Sequence, residues 1–202
     1  MWIKVCGMTT AAAIAAALEA GADAIGFVFA SSVRELTPAQ AATLAAPARG
    51  RVRCVAVTHH PTQPQVDEIV RVFAPDILQS DAADFRGLRL PAALERLAVV
   101  REGASLPAPL PARVLFEGPA SGRGRTIDWS IAAALADHTE VVLAGGLNAS
   151  NVAAAIAQVR PFGVDVSSGV EQTPGVKSRA AIMSFVTAAR AAGSSAQAPR
   201  GD

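Results

Sequence analysis

The 202-residue sequence predicts a single-domain α/β protein, a closed (β/α)8 TIM barrel. Short β-favouring runs alternate with Ala-rich helical runs along most of the chain, and such alternation is typical of βαβ units with a parallel sheet. The β-favouring runs number about eight, which favours a closed barrel over an open sheet. Because the chain is short for this fold, we expect some of the surrounding helices to be reduced.

Apolar and β-branched runs predict the eight strands, and helical patterning with start signals predicts six helices. The predicted strands are 2–6, 24–29, 52–58, 76–79, 94–100, 113–116, 140–144 and 162–166. The predicted helices are 10–20, 38–46, 64–73, 130–136, 149–158 and 177–191. The prolines of segment 101–114 disfavour a helix between the fifth and sixth strands. We expect residues 1–192 to form the barrel domain and 193–202 to be a disordered tail.

The composition excludes several classes of function. The net charge is +1 and no basic stripe is visible, so we predict no nucleic-acid partner. No apolar run reaches the ~18 residues of a membrane helix, and the N-terminus lacks the regions of a signal peptide, so no membrane association is predicted. Cys6 and Cys54 both lie in apolar strand-like runs, which argues against a disulfide framework and predicts a cytoplasmic protein.

In a barrel of this kind, function is expected at the C-terminal ends of the strands. Trp2, Lys4 and Cys6 alternate with the β-branched Ile3 and Val5, so the first three should face the lumen. Cys6 is then predicted at the barrel mouth, with the Lys4 ammonium below it lowering the pKa of the thiol. A buried cysteine that only fills space is the alternative that this stretch leaves open.

Two further strand ends carry charged candidates. Arg34 lies before the helix start at Thr37-Pro38, where it could bind a carboxylate through two parallel hydrogen bonds; a solvated surface arginine is the alternative. Glu117 ends the sixth strand, and the Gly-rich loop that follows it leads to Asp128. Asp128 is equally suited to cap the next helix.

The last two strands predict a phosphate site. Gly145 and Gly146 follow the seventh strand just before a helix, and Ser168 and Gly169 follow the eighth. Glycines admit a backbone to a ligand, and amides at a helix N-terminus favour an anion, so the two loops together suit a phosphate. Asp165 on the lumen face of the eighth strand is grouped with these substrate-binding residues. Two ordinary Gly-rich turns are the alternative.

His59 and His60 follow the third strand as an adjacent pair. A structural or catalytic metal site needs three or four ligands at a recognisable spacing. No third ligand has such a spacing in the sequence, so we predict no metal site.

The motifs KVCGMT, LAGGLNASNV and VDVSSGVEQTPGVKS together resemble phosphoribosylanthranilate isomerase of tryptophan biosynthesis, over about residues 2–191. The resemblance implies an Amadori rearrangement of N-(5'-phosphoribosyl)anthranilate, without a metal ion or organic cofactor. It implies that Cys6 is the general base and that Asp128, in IDW, is the general acid. It also implies that Arg34, in SVR, binds the anthranilate carboxylate.

The same resemblance places the substrate phosphate at Gly145-Gly146 and Ser168-Gly169. The expected partner is therefore a small phosphorylated sugar–anthranilate, bound by a monomer or a small homo-oligomer. The family's QLHG after the fourth strand reads QSDA here, its GGTG before the acid reads SGRG, and its proline before the arginine is Val33. These differences leave the acid and the base unaltered.

Three other functions compete with this one. A related histidine-pathway sugar isomerase would need aspartates after strands one and five, but Cys6 stands at the first position and no aspartate lies near Val100. A metal-dependent pentose-phosphate epimerase would need His and Asp ligands on several strand ends, which the sequence lacks. A sugar-phosphate binding protein without activity stays open, and it would tolerate loss of Cys6 or Asp128.

Overall fold

The computed structural model describes residues 1–118 and 128–196. The barrel strands are β1 (Trp2–Cys6), β2 (Ala24–Val28), β3 (Arg53–Val57), β4 (Ile77–Asp81), β5 (Glu95–Arg101), β6 (Arg113–Glu117), β7 (Glu140–Leu143) and β8 (Gly163–Val166). The helices are α1 (Ala11–Ala20), α2 (Pro38–Ala45), α3 (Gln63–Val72), α4 (Trp129–Ala136), α5 (Val152–Val159) and α6 (Arg179–Ala196). A short hairpin of β9 (Glu171–Thr173) and β10 (Val176–Lys177) precedes α6.

All eight barrel strands are parallel to their neighbours, and β8 pairs with β1, so the sheet closes on itself. The predicted (β/α)8 barrel is confirmed. The alternation predicted for β1 is also present, since Ile3 and Val5 belong to the core layer under the helices. Trp2 packs instead against the lumen cluster, which includes Leu97 and Leu115. Helices begin at recognisable caps: Thr37 forms a capping box with Gln40, and proline follows at the first helical position.

The helix layer is incomplete beside β5. Only a short 3-10 helix, Asp84–Arg86, connects β4 to β5, and segment 102–112 connects β5 to β6 without a helix. The prolines of that segment account for this, as the sequence predicts. Strand β4 also runs two residues beyond its predicted end, to Asp81, and so carries a further acidic residue to the barrel mouth.

Helix α6 continues to Ala196, so residues 193–196 of the predicted tail are helical. The reason is packing at Gly193, where an added Cβ would lie 2.5 Å from the Cβ of Met1. Arg190 further holds the helix to the residues that precede β1 and β2, by donating hydrogen bonds to the Met1 carbonyl oxygen and, at 2.7 Å, to Asp23. Segments 119–127 and 197–202, and with them the predicted Gly-rich loop and the rest of the tail, lie outside the described residues.

Over the described residues, no helix combines the length and the apolar character required to cross a bilayer.

Candidate active site

A pocket of about 1290 Å³ opens at the C-terminal ends of the barrel strands. Its lining includes Cys6, Arg34, Arg101, Glu117 and Ser167. It therefore joins side chains from β1, β5, β6 and the loops after β2 and β8. This is the end of the barrel at which the sequence predicts function.

Cys6 lies at the end of β1 and faces the lumen, where its side chain is 7% exposed. It pairs in register with Gly26 of β2, and a Cβ added at Gly26 would lie 2.8 Å from the Cys6 sulfur. The neighbouring strand thus makes room for the thiol by having no side chain there. The predicted position of Cys6 is confirmed.

Below Cys6, the Lys4 Nζ donates a hydrogen bond of 2.9 Å to Oδ1 of Asp165. The two residues are paired in register on β1 and β8, and Lys4 is fully buried. Burial alone would lower the pKa of Lys4, but the Asp165 carboxylate outweighs it, so the pKa of Lys4 is raised. Asp165 thus lies in the lumen as the counterion of Lys4. It faces the lumen as the sequence predicts and also lines the pocket, and its grouping with the substrate-binding residues stays a prediction.

The pKa of the Cys6 thiol is raised from its ordinary value of 9.0. Burial is the main cause, and Asp165 adds to it, while the charges of Lys4 and Lys177 act in the opposite direction. The prediction that Lys4 lowers the thiol pKa overall is therefore wrong. The desolvation of the buried thiolate outweighs the charge of Lys4, and Asp165 opposes that charge as well.

Arg34 reaches over the end of β1, since an added Cβ at Gly7 would lie 2.5 Å from the Arg34 Cδ. Its guanidinium is held by Glu171, whose two carboxylate oxygens accept hydrogen bonds of 2.7 Å each from the Arg34 Nε and Nη2. Burial would raise the pKa of Glu171, but the hydrogen bonds from Arg34 and Lys177 lower it to about 2. Arg34 is therefore a fixed group at the mouth, already bound in the bidentate geometry that suits a carboxylate.

Lys177 connects this ion pair to the end of β8. Its Nζ lies 2.8 Å from Oε1 of Glu171 and donates a 2.9 Å hydrogen bond to the Ser167 carbonyl oxygen. Ser167 in turn donates from its hydroxyl to the Cys6 carbonyl oxygen at 3.1 Å. A continuous polar network thus runs from Arg34 to the backbone of Cys6.

The structure brings together the two loops predicted to bind phosphate. Gly145 and Gly146 both have positive φ, of 91° and 67°, which suits glycine. Ser168 and Gly169 begin a 3-10 helix after β8. A Cβ added at Gly169 would lie only 1.9 Å from the carbonyl oxygen of Leu147, so the loops after β7 and β8 are in direct contact.

Asp128 is the N-cap of α4, where its Oδ1 accepts hydrogen bonds from the Ser130 amide at 2.9 Å and the Ser130 hydroxyl at 2.7 Å. These bonds lower the pKa of Asp128, which is exposed. A general acid that works near neutral pH requires a raised pKa instead. Two other carboxylates at this end of the barrel are paired elsewhere, Glu117 with Arg101 and Asp165 with Lys4. Asp128 is not among the described residues that line the pocket.

The rim at the ends of β3 to β6 carries a charged cluster, and two of its members, Arg101 and Asp81, were not singled out from the sequence. Arg101 binds Glu117 on one side and, at 2.6 Å, Asp81 on the other. Asp81 also lies close to the rings of His59 and His60, which follow β3. Spacing along the chain could not reveal this cluster, because its members come from different strands.

Glu171 and Lys177 are the other site residues that sequence reasoning missed. Both lie within the quoted motif VDVSSGVEQTPGVKS, but their contacts depend on how the hairpin of β9 and β10 folds back on the mouth. The available signal was that Glu171 and Lys177 carry opposite charges six positions apart, inside a motif that was assigned to phosphate binding.

Comparison with known proteins agrees with this geometry. A family model described as N-(5'phosphoribosyl)anthranilate (PRA) isomerase matches residues 3–188. The chain is 40% identical over 216 aligned residues to the N-(5'-phosphoribosyl)anthranilate isomerase of Rhizobium etli, covering 98% of this chain and 97% of that protein.

Solved structures show the same similarity in fold at lower sequence identity. Phosphoribosyl anthranilate isomerase from Thermus thermophilus superposes with a TM-score of 0.82 at 25% identity, covering 95% of this chain and 99% of that one. Another phosphoribosyl anthranilate isomerase, in complex with reduced 1-(o-carboxyphenylamino)-1-deoxyribulose 5-phosphate, gives a TM-score of 0.78 at 27% identity with the same coverage.

Proposed function

The chain belongs to the N-(5'-phosphoribosyl)anthranilate isomerase family, and on that premise we propose which of its residues carry out the reaction. The enzyme converts N-(5'-phosphoribosyl)anthranilate to 1-(2-carboxyphenylamino)-1-deoxyribulose 5-phosphate in tryptophan biosynthesis. This Amadori rearrangement consists of proton transfers. It therefore needs neither a metal ion nor an organic cofactor, only an acid and a base on opposite sides of the sugar.

Asp128 is the proposed acid. It protonates the furanose ring oxygen, and the ring opens to a Schiff base. Because Ser130 lowers the pKa of the exposed Asp128, the acid becomes effective only when bound substrate desolvates the carboxyl group. Asp128 therefore acts as the acid in the substrate complex and caps α4 in the enzyme before binding.

Cys6 is the proposed base, and it removes the proton at C2′ of the Schiff base. The resulting enolamine then tautomerises to the ketone. The observation that carries this assignment is the position of Cys6, at the end of a rigid strand and facing the pocket above the Lys4–Asp165 pair. A thiol of raised pKa forms little thiolate at neutral pH, but that thiolate is a stronger base.

The substrate carries an anionic group at each end, a carboxylate and a phosphate, and the enzyme binds it through both. Glu171 takes two of the five N–H donors of Arg34, and the remaining donors are offered to the anthranilate carboxylate. The contacting loops at Gly146 and Gly169 are proposed to hold the phosphate. The sugar carbons then lie between Cys6 and Asp128, which fixes the reacting atoms relative to acid and base.

We further propose that the enzyme works in the cytoplasm, because a catalytic thiol must stay reduced, and that it is a monomer or a small homo-oligomer.

The test is the decay of phosphoribosylanthranilate fluorescence, with the substrate generated from anthranilate and phosphoribosyl pyrophosphate by the preceding enzyme. We expect Cys6→Ala and Asp128→Asn each to lower turnover by about 10²–10⁴-fold with the fold intact by circular dichroism. Cys54→Ala is the matched control, since Cys54 is buried in the outer core layer instead of the lumen. Near-normal turnover in either site variant would remove that residue from the mechanism.

A further inference from the structure

Two adjacent histidines and an aspartate meet on the pocket rim, where β3 and β4 end. The Nε2 atoms of His59 and His60 lie 3.4 Å and 3.6 Å from the same oxygen, Oδ2 of Asp81. The ligand atoms of all three residues lie within 4.8 Å of one another. We propose that His59, His60 and Asp81 form a binding site for a divalent transition metal ion, with zinc the favoured ion.

The spacing of these atoms fits zinc. Zinc binds imidazole nitrogen at about 2.0–2.1 Å and carboxylate oxygen at about 2.0–2.2 Å, with tetrahedral angles. Two such ligand atoms are then about 3.3–3.5 Å apart. The two distances from Asp81 Oδ2 to the histidine nitrogens are close to this value. Three protein ligands leave a fourth position for water, the coordination typical of zinc sites that are open to solvent.

The backbone explains how neighbouring residues can serve one ion. In an extended chain, adjacent side chains point to opposite sides. His60 instead has a φ of 49°, which is uncommon outside glycine, and the two imidazole rings lie with centroids 4.1 Å apart. The Asp84 carboxylate accepts a hydrogen bond from the His60 amide at 3.1 Å and so stabilises this conformation.

A second layer of polar groups orients the ligands. Asp84 Oδ1 lies 2.8 Å from the His60 Nδ1, so that nitrogen is the protonated one and Nε2 presents its lone pair towards Asp81. Ser80 donates its hydroxyl to the other oxygen of Asp84. Such carboxylate–histidine pairs are typical of metal sites.

Arg101 completes the arrangement. It binds Oδ1 of Asp81 at 2.6 Å, which leaves Oδ2 directed at the histidines. Its own charge is balanced, because it also pairs with Glu117. The carboxylates of Asp81 and Glu117 thus share one guanidinium, and Asp84 adds a third negative charge beside His60, so the rim can accept a cation.

Direct binding measurements test the proposal. Untagged full-length protein, stripped with a chelator, is titrated with Zn²⁺ in competition with a chromophoric chelator, and separately with Co²⁺. We expect one equivalent of each ion per chain and visible Co²⁺ bands typical of a tetrahedral site. His59→Gln and Asp81→Asn should each weaken Zn²⁺ binding by more than about 100-fold, and Asp84→Asn by about 10–100-fold.

His138→Gln is the matched control, since His138 is the third histidine of the chain and is exposed beyond the end of α4. It should leave Zn²⁺ affinity unchanged. Absence of competition with the chelator would overturn the proposal. So would binding that survives His59→Gln but is lost in Cys6→Ala, because the ion would then lie on the thiol.

Discussion

Arg34 and Glu171 form a bidentate ion pair at the barrel mouth, with two hydrogen bonds of 2.7 Å between the guanidinium and the carboxylate. The pair joins the loop after β2 to the hairpin of β9 and β10. Because both side chains are held before any substrate arrives, less conformational entropy is lost when a carboxylate binds Arg34. Glu171 is thus a positioning residue for the proposed substrate contact.

Glu171→Gln should therefore weaken substrate binding more than it slows the chemistry. We expect KM to rise by about tenfold, equivalent to ~1.4 kcal/mol, with a much smaller change in kcat. Glu140→Gln is the matched control, because Glu140 forms a similar ion pair with Arg113 at the opposite end of the barrel. A tenfold loss confined to kcat would contradict the positioning role.

The same glutamate should make stability depend on acid pH. Its pKa is about 2 in the fold against an ordinary value of 4.5, so its ionised form stabilises the fold above pH 4.5. That contribution is lost as pH falls from 4.5 towards 2. Denaturant titrations should show the free energy of unfolding of the wild type falling over this window, with a shallower fall in Glu171→Gln. Parallel curves for the two proteins would show that Glu171 is not the responsible group.

The proposed acid and base have pKa values in the opposite order to the one the reaction needs. The proposed mechanism requires Asp128 protonated and Cys6 deprotonated, yet the pKa of Asp128 is lowered and that of Cys6 is raised. The active form is then a minor tautomer of the singly protonated pair. The plot of kcat/KM against pH should be bell-shaped, with its acid limb set by Asp128 and its alkaline limb, above pH 9.0, set by Cys6.

Asp165→Asn should move the alkaline limb to lower pH, because the Asp165 carboxylate raises the pKa of Cys6. Lys4→Gln should move it to higher pH, because the ammonium stabilises the thiolate. Rate profiles of kcat/KM, together with thiol alkylation rates against pH, would measure both shifts. If the alkaline limb moved in the same direction in both variants, this electrostatic explanation would be contradicted.

Ser130→Ala should move the acid limb to higher pH, since the hydrogen bonds from Ser130 lower the pKa of Asp128. More of the enzyme then has the acid protonated, so kcat/KM in the plateau should rise if the chemistry is otherwise unchanged. Ser194→Ala in α6 is the control, because its hydroxyl contacts only the helix backbone among the described residues. If the acid limb does not move in Ser130→Ala, Asp128 is not the group that sets it.

Gly169→Ala should disrupt the proposed phosphate site. The added Cβ would lie 1.9 Å from the Leu147 carbonyl oxygen, so the loops after β7 and β8 must separate. We expect KM for the substrate and the inhibition constant of inorganic phosphate both to rise by at least about tenfold. Gly87→Ala is the control, since a Cβ there meets nothing within 4 Å. Unchanged phosphate inhibition would place the phosphate elsewhere.

Local signals explain why the sequence was sufficient to predict the fold. The alternation of Ile3 and Val5 with Lys4 and Cys6 identified which face of β1 lines the lumen, as the structure confirms. Likewise, Thr37 with proline after it marked the start of α2. Such features depend only on residues a few positions apart.

The electrostatics of the site could not be predicted in this way. Arg34 meets Glu171 across 137 positions of sequence, and Lys4 meets Asp165 across 161. The charge of Lys4 was visible in the sequence, but its counterion was not, so the pKa of Cys6 was predicted in the wrong direction. Pairs of this kind depend on strand register and on barrel closure, which fix the partner only once the whole sheet is formed.

The packing of Gly193 against Met1 brings helix α6 back to the start of β1. A short linker between α6 and Met1 would join residues that are already neighbours, and new termini could be opened in the helix-free segment 102–112. Such a circular permutant would keep every strand pair and every helix of the barrel. The fold thus depends on the cyclic order of its strands, and it does not depend on where in that order the backbone is interrupted.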